Sequence, residues 1–333
     1  MERTLPIDLA QLPMRIAVGQ FNELTEEHMA FARQVGADDV QLNTPHLPGS
    51  ERWEFEDLLA LRRRAETHDL RLIALENVPI RFYDKIMTGE PGREQQMEHM
   101  TATVRNMGKA GVPILGYHWM PNGVWRTSYE TRARGGAVSN EFRYESVKDA
   151  PLTHGRIYSA EEMWANYDWY MERILPVCEE AGVHMALHPD DPPVPLLGGV
   201  ARLFTCFEGF QRAMETHPSP MHGLDFCHGC WSEMRSGEGI LDAITWFGTR
   251  GRILYVHLRD VQGGAEDFRE CFIDEGNSNV PAVISKLREI GFHGFLLDDH
   301  VPHLVNDSPY GHRGRAYALG YLRGLLDAMP AVR

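Results

Sequence analysis

The chain reads as an α/β protein with one domain over residues 1–333, folded as a closed (β/α)8 TIM barrel. Three observations predict this. Short strand-like runs alternate with helical patterns, which calls for a parallel sheet covered by helices. There are eight such units, the number that closes a barrel. No Gly-x-Gly-x-x-Gly follows the first run, and the chemically capable residues end many different runs, so an open doubly wound sheet fits less well.

The units follow in order. Arg15–Phe21 leads to helical spacing from near Thr25, Asp39–Thr44 to a helix near Arg52, and Arg71–Val78 to one near Arg93. Pro113–Trp119 precedes a helix near Ala160, Val183–His188 one near Gly199, and Met221–Cys227 one near Gly237. Ile253–Leu258 and Gly294–Asp299 are followed by helices near Asn279 and Arg315. The helices carry i, i+3, i+4 apolar spacing, as in Trp164, Tyr167, Trp169, Ile174 and Leu175. Gly36, Gly111, Gly182 and Gly291 stand where a helix must stop before a new strand. One connection, residues 122–159, is long and rich in Arg, Gly, Tyr and Ser. Long loops are commonly functional, so it reads as a lid or a subunit contact, and a homo-oligomer is compatible with it.

Composition bounds the partners. Hydrophobic residues make up 43% and charged residues 24%, ordinary for a globular chain. A net charge of −14 with no Lys/Arg-rich block argues against nucleic acid or an anionic membrane. No apolar stretch approaches the roughly 20 residues needed to span a bilayer. The N-terminus carries no secretory pattern, and five cysteines give no even disulfide framework, so a reducing cytoplasm is expected.

Four successive late runs end in residues able to bind a metal. They are His188 in His188-Pro189-Asp190-Asp191-Pro192-Pro193, Cys227, His257, and Asp299 in Asp298-Asp299-His300. In a barrel these ends converge on one mouth, so a metal site of two imidazoles, a thiolate and a carboxylate is expected. Manganese, iron, cobalt and zinc all accept such a set. Cys227-His228-Gly229-Cys230 lacks the second pair of a four-thiolate site. It also follows a late strand, unlike the redox pair of a thioredoxin-like unit. His300 is a candidate acid or base near neutral pH. Asp190 and Asp191 are candidates to orient ligands or bind substrate hydroxyls. Arg126, Arg132, Arg134 and Arg259 are candidate anchors for a substrate carboxylate. Glu76, His118 and Tyr117 end the third and fourth runs and are expected to line the same mouth.

At these residues the chain resembles the mannonate dehydratases of the xylose-isomerase-like barrel superfamily. The resemblance spans most of the chain. It is carried by Leu187 to Pro193, Glu76-Asn77-Val78-Pro79, Arg105-Asn106-Met107-Gly108, Tyr117-His118-Trp119-Met120-Pro121, Trp125-Arg126-Thr127 and Asp299-His300. It implies dehydration of D-mannonate to 2-keto-3-deoxy-D-gluconate with a divalent metal, usually manganese. The implied ligands are His188, Cys227, His257 and Asp299. The implied acid/base residues are His300 and Tyr310. The chain departs from the family pattern at His118, just before Trp125, at Leu297 to Pro302, and at Cys271 to Gly276. A sugar isomerase or epimerase of the same superfamily, or a ligand-binding barrel without catalysis, are the alternative readings.

Overall fold

The computed structural model describes residues 9–329. Eight parallel strands follow one another around a ring in chain order. They are β1 (Arg15–Phe21), β2 (Asp39–Asn43), β3 (Arg71–Glu76), β4 (Ile114–Tyr117), β5 (His184–Leu187), β6 (His222–Cys227), β7 (Ile253–His257) and β8 (Phe295–Leu297). The ring closes where Arg15 and Ile16 of β1 pair with Phe295 and Leu296 of β8. This is the (β/α)8 barrel that the alternation predicts. The barrel is filled by Ala17, Ile73, Ala74, Ile114, Ala186, Tyr255, Phe295 and Leu297. A second, larger apolar layer lies between strands and helices, with Leu224 and Phe226 of β6 facing outward into it. Successive strand residues point to opposite faces, so Asp225 and Cys227 of β6 share the other side.

Local chemistry explains the helix boundaries. Thr25 Oγ1 accepts from the His28 amide at the first helix, and Ser159 with Glu162 forms a capping box on Ala160–Ala181. Gly111 and Gly182 end their helices at φ 75° and 68°, a backbone region open to glycine, and turn the chain into β4 and β5. One boundary differs from expectation. The helix expected near Gly199 begins at Phe207. Gly198 and Gly199, both at positive φ, instead form the two-residue turn of a small ribbon, Leu196–Leu197 with Val200–Ala201.

The largest difference lies above the barrel mouth. The segment 122–159 is not a structureless loop, because Ser128–Arg132 and Val138–Arg143 pair as antiparallel strands. They join a second hairpin, Asp260–Gly264 with Asp267–Cys271, inserted after β7. The resulting four-stranded cap has its own small core of Phe142, Val194, Leu197, Val261 and Phe268. A bridge between Val138 and His303 ties the cap to the segment following β8. Among the described residues no helix is long and apolar enough to cross a membrane.

Candidate metal centre and active site

Strand register brings the proposed ligands level with one another. Cys227 ends β6 opposite His257 ending β7, and His257 stands opposite Leu297 of β8, two residues before Asp299. His188 directly follows β5. The ligand atoms of Cys227, His257 and Asp299 all lie within 4.8 Å of one another, as do those of His188, Cys227 and Cys230. Cys227 is therefore the hub, in reach of the other three. Its Sγ is 3.8 Å from Asp299 Oδ2, and the His188 and His257 rings are 5.5 Å apart. His188 Nδ1 lies 2.7 Å from the Pro189 carbonyl; donation there leaves Nε2 free for a ligand.

A further donor group overlaps this one: Glu76, His188, Asp225 and His257, again within 4.8 Å. His257 Nε2 is 3.1 Å from Glu76 Oε2 and 3.5 Å from Asp225 Oδ2. Gln20 donates to Glu76 at 3.0 Å, and Gln41 donates to the same oxygen. Both Asp225 oxygens and His257 Nδ1 are buried without a hydrogen-bond partner. Burial raises Asp225 well above the usual carboxylate range. Burial also opposes the Cys227 thiolate, but Cys230, Arg259 and His188 outweigh it and hold the thiol well below its usual value. Burial disfavours the charged His188 ring, yet Cys227 and Asp225 push it up to about 10. A Cys227 thiolate beside a charged His188 ring, next to an Asp225 carboxyl with no hydrogen-bond partner, is a donor set whose protons a cation can displace. The residues fit a divalent metal.

A buried ionic lattice roofs these donors. Arg126 spends all five N–H groups on protein oxygens. Nε and Nη2 reach Glu270 Oε1 at 2.8 and 2.7 Å, Nη1 and Nη2 grip Asp191 at 2.6 and 2.8 Å, and Nη1 also reaches the Trp125 carbonyl at 2.9 Å. Arg259 donates to Asp299 at 2.8 Å, Glu233 at 2.8 Å and Asp191 at 3.0 Å. Buried carboxylates already occupy the guanidiniums of both Arg126 and Arg259, the residues expected to anchor a substrate carboxylate. Asp190 and Asp191 are likewise engaged, Asp190 accepting from the Phe204 amide at 2.6 Å beside Arg202. Arg134 pairs with Asp274 at 2.9 Å, and Arg132 donates to the Gly136 carbonyl. His118 accepts the Met120 amide on Nδ1, and burial holds its ring neutral, pushed down to about 3.

The lattice also reaches His300. Its Nδ1 is 2.7 Å from Glu270 Oε1 and its Nε2 3.6 Å from Asp299 Oδ1. Burial opposes the charged ring, but Asp299 and Glu270 prevail and raise it. His300 borders a cavity of about 280 Å³ with Asn140, His303 and Arg315. Tyr310 borders another, of about 480 Å³, with Gln20, Asn43 and Thr44. The structure thus places the two expected acid/base residues on adjoining sides of the mouth rather than in one cavity. Arg315 links them, donating to the Tyr310 carbonyl at 2.8 Å and the Asp299 carbonyl at 3.0 Å. The Tyr310 hydroxyl donates to the Gly19 carbonyl at 2.6 Å. Another cavity, at the N-terminal end of the barrel between Pro113, Ile253 and Phe292, includes none of the ligand groups.

Glu270, Glu233 and Asp225 are site residues that the sequence reading missed. Asp225 carried a signal, a charge inside an apolar strand run. Glu270 carried none, because its place in the site depends on the cap.

The D-mannonate dehydratase (UxuA) family model matches residues 14–157 and 151–333, which together cover nearly the whole chain. The chain belongs to this family. The mannonate dehydratase of Streptococcus equi subsp. zooepidemicus is 29% identical over 314 residues, 85% of each chain. The crystal structure of mannonate dehydratase from Streptococcus suis serotype 2 superposes with a TM-score of 0.84 at 26% identity, covering 95% of this chain and 94% of that one. A xylose isomerase domain protein from Planctomyces limnophilus shares the fold, with a TM-score of 0.64 at 15% identity and coverage of 95% and 97%. Membership in a dehydratase family favours the hydro-lyase reading over the isomerase alternative, and it covers the cap as well as the barrel.

Proposed function

We propose that this protein dehydrates D-mannonate to 2-keto-3-deoxy-D-gluconate, using a divalent metal held by His188, Cys227, His257 and Asp299. The observation that carries the reading is the family match along residues 14–333. The convergence of the four donors on Cys227 supports it. Manganese is the ion proposed, and the same donors accept iron, cobalt or zinc. When bound, such an ion supplies Lewis-acid stabilisation of the charge that develops beside the substrate carboxylate.

The chain's own residues supply the proton transfers. Loss of the C2 proton and departure of the C3 hydroxyl as water require one acceptor and one donor. His300, held on Glu270 at 2.7 Å with its charged form favoured, is suited to protonate the departing hydroxyl. Tyr310 is the second proton-transfer group; burial raises its hydroxyl, and the Arg315 guanidinium, 4.4 Å from its ring centroid, offsets part of that rise. Arg126 and Arg259 hold Asp191, Glu270 and Asp299 in place, so they position the site without touching substrate.

The test is incubation of Mn2+-loaded protein with D-mannonate, with the product read by mass. Loss of one water supports the proposal. A new sugar acid of unchanged mass would overturn it in favour of isomerase or epimerase chemistry, and an unchanged substrate would overturn the assignment to mannonate.

A further inference from the structure

The Cys227-His228-Gly229-Cys230 motif has a second sulfur that the dehydration does not use. Cys227 caps the helix His228–Met234 and Cys230 lies within it, so the pair has the i, i+3 relation that places side chains on one face. Their sulfurs lie within 4.8 Å of each other, and both are buried free thiols. A disulfide requires closely spaced Cα atoms and converging side chains, which this spacing provides. The other three cysteines take part in none of the ligand groups. Arg259 Nη2 donates to Cys230 Sγ at 3.4 Å and so fixes the orientation of the second sulfur. Both sulfurs are fully buried, so an oxidant reaches them only when the mouth opens, as it must to admit a sugar acid.

We propose that Cys227 and Cys230 form a peroxide-oxidisable pair, whose disulfide removes the metal's only thiolate ligand and so releases the ion reversibly. This rests on the assignment of Cys227 as a ligand. One sulfur attacks a peroxide oxygen, the O–O bond breaks, and a sulfenic acid forms with release of the first water. The second sulfur then attacks the sulfenic sulfur and expels the second water. The two thiols lose two protons and two electrons in total, which reduce hydrogen peroxide to two waters. A dithiol reverses the change by exchange. His188, His257 and Asp299 remain but lose the donor at their centre.

The experiment treats intact Mn2+-loaded protein with hydrogen peroxide, then maps peptides and measures metal content before and after dithiothreitol. The expected result is a Cys227–Cys230 linked peptide lighter by two hydrogens, with metal lost in proportion and both changes reversed by the reductant. Cys230→Ser is expected to give no linked peptide. Its Cys227 instead gains oxygens and the metal loss becomes irreversible. If the metal-loaded protein yields no linked peptide, the pair is not a redox site, and the dehydratase proposal stands untouched. If the linked peptide forms while the metal stays bound, Cys227 is not a required ligand, and both the coupling and the ligand assignment fail.

Discussion

Arg126 offers a direct test of whether the buried lattice braces the mouth or grips the substrate. Replacing Arg126 by Met keeps the apolar stem over Phe268 and removes the guanidinium, 5.0 Å from that ring. Breaking a buried ion pair from one side costs about 3–5 kcal/mol, because a charge is left unmatched. The structure argues for the lower end. Asp191 keeps Arg259 at 3.0 Å, and Glu270 keeps Asn140 at 2.6 Å and His300 at 2.7 Å. About 3 kcal/mol is therefore expected. With an unfolding entropy of about 2.1 cal/mol/K per residue, a chain of 333 residues has about 0.7 kcal/mol/K, so Tm should fall by about 4 °C. Differential scanning calorimetry of wild type and Arg126→Met, at matched metal content, reads this directly. A Tm shift below about 1 °C together with a raised KM for D-mannonate would refute the bracing role and return Arg126 to the substrate.

Three other perturbations probe separate features. His300→Asn should lower kcat by about 100-fold or more while metal content and Tm hold; near-normal turnover would remove His300 from proton transfer. His222 is buried against Tyr117 and Tyr167, and burial pushes it down to about 3. Its unfolded counterpart takes a proton near pH 6.5, so the folded state keeps its full stability above that pH and loses about 1.4 kcal/mol per unit as pH falls toward 3. Chemical denaturation from pH 7 to 5 should show a shallower slope for His222→Gln than for wild type, and parallel slopes would contradict the assignment. In Gly116→Ala a new Cβ would collide with the Tyr255 hydroxyl that crosses the barrel and would press on the Glu76 backbone. The expected cost is about 1–3 kcal/mol. Tyr255→Phe in that background should recover part of it, and simple additivity would show that the two do not meet.

The sequence by itself determined the barrel and the strand ends that carry the donors. Both rest on local signals: alternation of strand and helix, glycine at helix ends, and a metal-capable residue closing each late run. Once parallel strands close in chain order, geometry alone gathers His188, Cys227, His257 and Asp299 at one mouth. Tertiary structure decided everything that depends on partners distant in the chain. The segment 122–159 reads as a loop because its strands find their complement in the hairpin after β7, and no local pattern names that partner. For the same reason Arg126 resembles a substrate anchor in sequence and proves to be paired with Glu270, 144 positions away. An arginine presents the same side chain to a ligand or to a buried carboxylate, and only the folded chain places that carboxylate within hydrogen-bonding distance.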